Sequence, residues 1–260
     1  MAFAKKSLGQ HFLISKQVVT TMVKKACVEK TDVVLEIGPG KGILTEALLA
    51  TGARVISFEK DDLLIPLLKE RFKKEIREER LTLIHGDILE IKNWSKEDWK
   101  KNVGEKYKVV ANIPYYITGL LLPLFLETPV QPKTVAFLVQ KEVAERVLAK
   151  NKKESILSIS IKCYGTPHYA GKVKKTLFRP MPKVDSAILL ITDISKKFFD
   201  SFSEEAFFNV VKKGFAHKRK LLKGNLNITE DVLLTCGLEK NSRAEDLELN
   251  DWKCLLKKLR

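Results

Sequence analysis

Residues 35–42 read LEIGPGKG. They close the β-branched, apolar run DVVLEIG (32–38). They lead into ILTEALLATG (43–52), whose apolar spacing predicts a helix ended by Gly52. Buried strand, glycine loop and helix in that order form the first unit of a parallel sheet covered on both faces. Gly38, Gly40 and Gly42 alternate through the loop. Glycine accepts positive φ and lets the backbone approach a ligand closely. In such sheets the ligand lies beyond the carboxyl ends of the strands. The spacing is G-x-G-x-G, which differs from the dinucleotide pattern G-x-G-x-x-G.

The alternation continues on both sides. KQVVTTMVKKACV (16–28) predicts a helix, ARVISFEKD (53–61) a second strand and LLIPLLKERFKKEI (63–76) a single helix with Pro66 in its early turns. RLTLIHGD (80–87), KVVANIP (108–114) and TVAFLVQ (134–140) predict strands three to five, and SILSISIKCYG (155–165) and SAILLITDI (186–194) complete a set of seven. KNWSKEDWKKNVGEK (92–106) reads as a charged surface helix or loop. After about residue 195 the strands cease. SEEAFFNVVKKGF, HKRKLLKGNL, TEDVLLTCG and LNDWKCLLKKL predict short helices. The expected organisation is an α/β domain over 1–195 with a basic N-terminal segment, and a small all-helical domain over 196–260.

Composition narrows the function. The chain has 260 residues, 45% of them hydrophobic, which suffices for a well-buried core. No stretch approaches the roughly 18 apolar residues of a membrane span. The basic start MAFAKKSLGQHFL has no apolar region after it, so no secretory signal and a cytoplasmic location are expected. Cys27, Cys163, Cys236 and Cys254 are far apart and form no C-x-x-C pair, and the four histidines are scattered. Free buried thiols and no metal are expected. The net charge of +15 is unevenly placed: residues 31–139 carry 16 basic and 16 acidic groups, whereas residues 140–184 carry 11 and three. Basic flanks around a neutral middle suit a polyanion lying across a small-molecule site.

Three strand ends give that site its chemistry. Glu59 ends the second strand, 21 residues after Gly38, where a carboxylate can accept from both hydroxyls of a ribose. Asp87 ends the third strand on the same rim. Glycine loop and two carboxylates describe a pocket for a nucleoside without a pyrophosphate requirement, and S-adenosylmethionine fits it. The fourth strand ends in NIPYYI (112–117). The lone pair of an exocyclic amine is delocalised into its base. Two acceptors on its N–H groups, the Asn112 side-chain oxygen and the Ile113 carbonyl, can hold the nitrogen in a more tetrahedral state. Pro114 fixes φ and keeps that carbonyl in one direction. Tyr115 offers a ring for the base to stack on. The ring, not the hydroxyl, is expected to matter.

At these residues the chain resembles the KsgA-type family, the adenine dimethyltransferases of small-subunit ribosomal RNA. KKSLGQHFL, EIGPGKG, NIPYYI, LVQKEVAERV, FRPMPKVDS and FAHKRKLLKGNL occur in the family's order over nearly the whole chain. The resemblance implies a Rossmann-like class I methyltransferase sheet of seven mostly parallel strands with a small C-terminal helical domain. It implies dimethylation of N6 on two adjacent adenines near the 3′ end of the small-subunit (16S) RNA, in immature 30S subunits, by a monomer. By motif, cofactor contacts are expected at His11, Leu13, Gly38, Gly40, Glu59, Asp87 and Asn112. The amine-binding and base-stacking groups are expected at Asn112, Ile113, Pro114 and Tyr115, with Phe178 closing the other face of the base. The family often carries Asn where this chain has His11, and a third proline where it has Met181. RNA phosphates are expected to meet Lys5, Lys6, Lys218, Arg219, Lys220 and Lys223. Two other readings stand beside this one: a methyltransferase of large-subunit RNA, which the KKSLGQHFL start and PKVDSAI disfavour, and a binding-only assembly or transcription factor, which intact Glu59, Asp87 and NIPY disfavour.

Overall fold

The computed structural model describes residues 9–259. The chain divides into two compact units. One comprises the residues up to Ala144 together with Pro167–Ile194, and the other Glu145–Thr166 with the residues from Ser195 onward. The residues from Ser195 onward thus share their unit with residues 145–166.

The first unit begins with a two-residue strand β1 (Phe12–Leu13) and helix α1 (Lys16–Lys25), capped by the Ser15 hydroxyl. Then follow β2 (Val33–Ile37), α2 (Ile43–Leu49), β3 (Arg54–Glu59), α3 (Leu64–Arg71), α4 (Lys73–Arg77), β4 (Leu81–His85), α5 (Lys96–Asn102), β5 (Tyr107–Asn112), α6 (Thr118–Glu127), β6 (Thr134–Gln140) and α7 (Lys141–Val147). After α8 (Ile156–Lys162) come β7 (Thr166–Val173), β8 (Phe178–Arg179) and β9 (Ser186–Thr192). The seven-stranded sheet has the order β4-β3-β2-β5-β6-β9-β7, with β2 to β6 parallel and β9 antiparallel to β6. From β2 the chain moves outward through β3 and β4, then returns to β5 on the other side. The crevice at the carboxyl ends of β2 and β5 is therefore the topological switch point.

Three local expectations need correction. Residues 155–165 are not a strand. Ser155 and Ser158 form a capping box that starts α8, which buries Ser158, Ile159 and Ile161. The alternating apolar pattern was compatible with both periods, and the cap decides it. The missed strand is β7, TPHYAGKV, whose Pro and Gly disguise it and which lies at the sheet edge where proline is tolerated. The helix expected over 63–76 breaks at Phe72, with φ −110° and ψ 27°. In the charged insertion, α5 is anchored by Trp99, fully buried and stacked on Tyr107.

The second unit carries α9 (Glu204–Gly214), α10 (Leu222–Leu226), α11 (Glu230–Thr235) and α12 (Leu249–Lys258) around buried Phe207, Leu233 and Trp252. At Gly214 a Cβ would lie 2.3 Å from the Trp252 ring, so only glycine lets α9 come this close. Cys236 and Cys254 are joined in a disulfide, with Cα atoms 5.8 Å apart, and Cys27 is exposed. The expectation of four buried thiols outside any disulfide holds only for Cys163. Seventeen intervening residues gave no pairing signal, and it is the approach of α11 and α12 that brings the two sulfurs together.

One buried carboxyl makes stability depend on pH. Glu36 of β2 is fully buried and accepts from the Thr45 hydroxyl at 2.8 Å and from Ser57, while its Oε1 has no partner. Burial pushes it up to about 7, against the lowering effect of those two hydroxyls. Between the ordinary carboxylate value and about 7 the folded state holds a proton that the unfolded state has released. This contribution is therefore complete at low pH and declines as pH rises through about 7, a total of about 3 kcal/mol. Urea unfolding at pH 5.5 and pH 8 should show wild type losing more stability across that interval than Glu36→Gln. Equal losses would mean that Glu36 titrates normally.

Candidate methyl-transfer site

The loop after β2 has φ of 62°, 60° and 82° at Gly38, Gly40 and Gly42. These glycines differ in what surrounds them. A Cβ at Gly42 would lie 2.5 Å from the Phe72 ring and at Gly40 3.1 Å from Phe12, but at Gly38 it would meet nothing within 4 Å. Gly38 thus faces open space, and this space is the cavity at the switch point. Its walls include Gln10 to Leu13, Gly38 to Lys41, Phe58 to Lys60, Gly86 to Leu89 and Asn112 to Ile117.

Glu59, 5% exposed, joins two loops at this rim. Its Oε2 accepts the Gly40 N–H at 3.1 Å and its Oε1 the Asp61 N–H at 2.8 Å. Burial raises its pKa, and these amides oppose the rise. A carboxylate has about four acceptor directions, more than these amides occupy, so acceptor capacity remains for a ligand. Asp87 caps the turn at Ile88–Asn93 by accepting from Leu89 N–H at 3.0 Å, and it pairs with Lys60 at 2.8 Å. Its own burial pushes its pKa up, but the Lys60 hydrogen bond, the Leu89 amide and the Lys60 charge together hold it below the usual carboxylate value.

Across the cavity, Asn112 ends β5. Its Nδ2 donates to the His11 carbonyl at 3.4 Å, which turns its oxygen the other way. Pro114 has φ −58°, and Tyr115 begins a short 3₁₀ turn to Ile117. The Tyr115 ring stacks on the His11 imidazole, centroids 5.7 Å apart, and its hydroxyl is 2.7 Å from Ser186 Oγ. His11 is held in turn by Nδ1 donating to the Pro180 carbonyl at 2.8 Å. β1 lies antiparallel to β8, pairing Phe12 with Arg179 and Leu13 with Phe178. This ladder brings the residues of GQHFL beside those of FRPMP.

His11, Leu13, Gly38, Gly40, Glu59, Asp87, Asn112, Ile113, Pro114 and Tyr115 all line this one cavity. Phe178 does not: it is fully buried in the core with Leu13 and Met22, so in this structure it offers no face to a base. The Tyr115 hydroxyl, given no role in the sequence reading, is hydrogen-bonded to Ser186. Sequence reasoning missed Lys60 and Ser186 as partners of site residues. Lys60 directly follows Glu59, which was a usable signal, whereas the pairing of Ser186 with a residue 71 positions away was not legible. Lys5 and Lys6 lie outside the described residues. Lys218, Arg219 and Lys220 are exposed, while Lys223 is tied to Glu230 at 2.6 Å. Among the described residues no group of three or more His, Cys, Asp or Glu is placed to hold a metal ion, and no helix is long and apolar enough to cross a membrane.

The family model described as ribosomal RNA adenine dimethylase matches residues 1–259. The chain belongs to this family. It is 41% identical to the Dehalococcoides mccartyi ribosomal RNA small subunit methyltransferase A, over 97% of this chain and 87% of that protein. A dimethyladenosine transferase structure from Plasmodium falciparum superposes with a TM-score of 0.80 at 25% identity, covering 96% and 97% of the two chains. The 23S rRNA methyltransferase ErmE shares the fold, with a TM-score of 0.74 at 23% identity over 95% and 99%.

The glycine loop predicts contrasting substitutions. Gly42→Ala meets both a left-handed backbone and the Phe72 ring and should lose about 2–4 kcal/mol. Gly38→Ala meets only the backbone strain, about 1 kcal/mol. Urea unfolding of the two variants measures the difference, and equal losses would contradict the open space at Gly38.

Proposed function

We propose that this chain transfers methyl groups from S-adenosylmethionine to N6 of two adjacent adenines near the 3′ end of small-subunit ribosomal RNA, with the cavity at the ends of β2 to β5 as the site. Membership of the adenine dimethylase family gives the reaction, and the orientation of the Asn112 amide supports the site. The residues suit the methyl donor. Gly38 leaves a space that any side chain would fill, and Glu59 keeps acceptor capacity for ribose hydroxyls beside it.

S-adenosylmethionine supplies a methyl group on a sulfonium. The chain's own part is to bind, orient and accept. With its Nδ2 committed to the His11 carbonyl, Asn112 presents Oδ1 as an acceptor for one N–H of the adenine amine. The Ile113 carbonyl, directed by Pro114, takes the other. Accepting both hydrogens draws the nitrogen lone pair out of conjugation, and the Tyr115 ring carries the base. The methylated amine is acidic enough to lose its proton to water. Catalysis then comes mainly from positioning and from acceptors already in place. An adenine entering the cavity must leave its stack, a cost of a few kcal/mol that stacking on Tyr115 partly returns. Exposed Lys218, Arg219 and Lys220 contact phosphate, and Lys223 contributes less because Glu230 neutralises it. The substrate is the immature 30S subunit, and the protein acts as a cytoplasmic monomer.

Incubating the protein with labelled S-adenosylmethionine and immature small subunits, then mapping modified bases, tests the reaction. Label in large-subunit RNA alone would replace this reading with the large-subunit one. Glu59→Ala should weaken S-adenosylmethionine by about 2–4 kcal/mol, the loss of two charge-assisted hydrogen bonds. Gly38→Ala should also weaken it, and calorimetric titration of folded variants measures both.

RNA affinity should fall on the order of a thousandfold between about 50 and 200 mM salt if six or more phosphates are contacted, while cofactor affinity stays level. Charge reversal at Lys218, Arg219 and Lys220 should flatten the slope. A flat profile in the wild type would reduce the basic segments to solvated surface.

A further inference from the structure

The Tyr115 ring is supported from two directions by residues outside the acceptor set. Ser186, the first residue of β9, is fully buried and meets the Tyr115 hydroxyl at 2.7 Å. Ser186 is rigidly placed. It pairs with Gln140 in the β6–β9 ladder. Its neighbour Asp185 accepts the Lys175 N–H at 2.9 Å, pairs with Lys172 at 2.9 Å and gives its carbonyl to Lys141 N–H at 3.0 Å. The second support is His11, whose imidazole lies against one face of Tyr115. It is fixed by the Pro180 carbonyl and by the β1–β8 ladder immediately beyond it. Both supports depend on the one segment, residues 178–186.

An aromatic side chain on a short turn turns about two bonds. The backbone at Pro114 fixes neither. A hydrogen bond at the far end of the ring fixes the position of its tip, and a ring against one face fixes its plane. What is left is one open face, in one orientation.

We propose that Ser186 and His11 are positioning residues which hold the Tyr115 ring at the angle needed to present the adenine amine to Asn112. The inference rests on the adenine-methylation reading above and adds to it a role for FRPMPKVDS: this segment acts through Tyr115. It also gives the Tyr115 hydroxyl a function that stacking alone does not require.

A double-mutant cycle tests it. Tyr115→Phe and Ser186→Ala each remove the same hydrogen bond from opposite ends. Each should lower kcat for methyl transfer to immature small subunits about 3- to 10-fold, the range of one hydrogen bond. The Tyr115→Phe/Ser186→Ala variant should be no slower than the slower single variant. The S-adenosylmethionine Kd should stay within about twofold in Ser186→Ala, because Ser186 does not line the cavity. Losses that multiply, an unchanged kcat in Ser186→Ala, or a Kd that worsens in step with kcat would overturn the role of Ser186. His11→Phe keeps a ring against Tyr115 and should retain more kcat than His11→Ala; equal loss would remove His11 from the proposal. If the wild type methylates no RNA, the adenine reading itself fails, and the clamp is then read by NMR of labelled tyrosine. Tyr115 ring flips should be faster in Ser186→Ala than in wild type, and unchanged flips would overturn it.

Discussion

The buried carboxylate of Glu59 ties the site together. One oxygen takes the Gly40 amide from the loop after β2, and the other takes the Asp61 amide from the turn after β3. Asp61 extends the linkage by accepting from Leu63 N–H at 3.1 Å and from the Gln10 side chain at 2.7 Å. Glycine loop, β3 turn and the segment before β1 are therefore held by one chain of acceptors. The cost is visible in the carboxyl itself, which burial pushes above its ordinary value. A ligand that donates to its remaining lone pairs favours the ionised form and recovers part of this cost.

The parallel ladders explain why so much of this was legible in the sequence. Register between β2, β3 and β4 pairs Ile37 with Phe58 and Glu59 with His85, so residues that end successive strands share a rim. Fully buried strands give continuous apolar runs, and a polar residue at the end of each run is conspicuous. Gly38, Glu59, Asp87 and Asn112 could be read in this way without any knowledge of contacts. The method failed where local patterns were ambiguous. SILSISIK suits both a strand and a helix, and TPHYAGKV carries two strand breakers at an edge that tolerates them.

Long-range pairings were the other failure. His11 and Pro180 are 169 positions apart, and Tyr115 and Ser186 are 71 apart. The β1–β8 ladder that organises the first pair is only two residues long, too short for any periodic signal. Phe178 shows the same limit. Its motif marked it as part of the site, yet its side chain is part of the core and only its strand serves the cavity. Cys236 and Cys254 also meet solely because two helices do.

The strand-end groups at the cavity share a chemical character. Glu59, Asp87 and the Asn112 oxygen accept hydrogen bonds. The His11 Nδ1 is committed to the Pro180 carbonyl, and Lys60 is committed to Asp87. Such an inventory suits a transfer whose leaving group departs without a proton and whose nucleophile is already neutral. The barrier that a protein can lower in that case is chiefly one of alignment. Alignment demands that loops at the ends of four strands keep their positions while a base enters and leaves. The linkages at Glu59, Asp61 and Gln10 on one side, and at His11, Tyr115 and Ser186 on the other, tie those loops by hydrogen bonds between segments far apart in the chain.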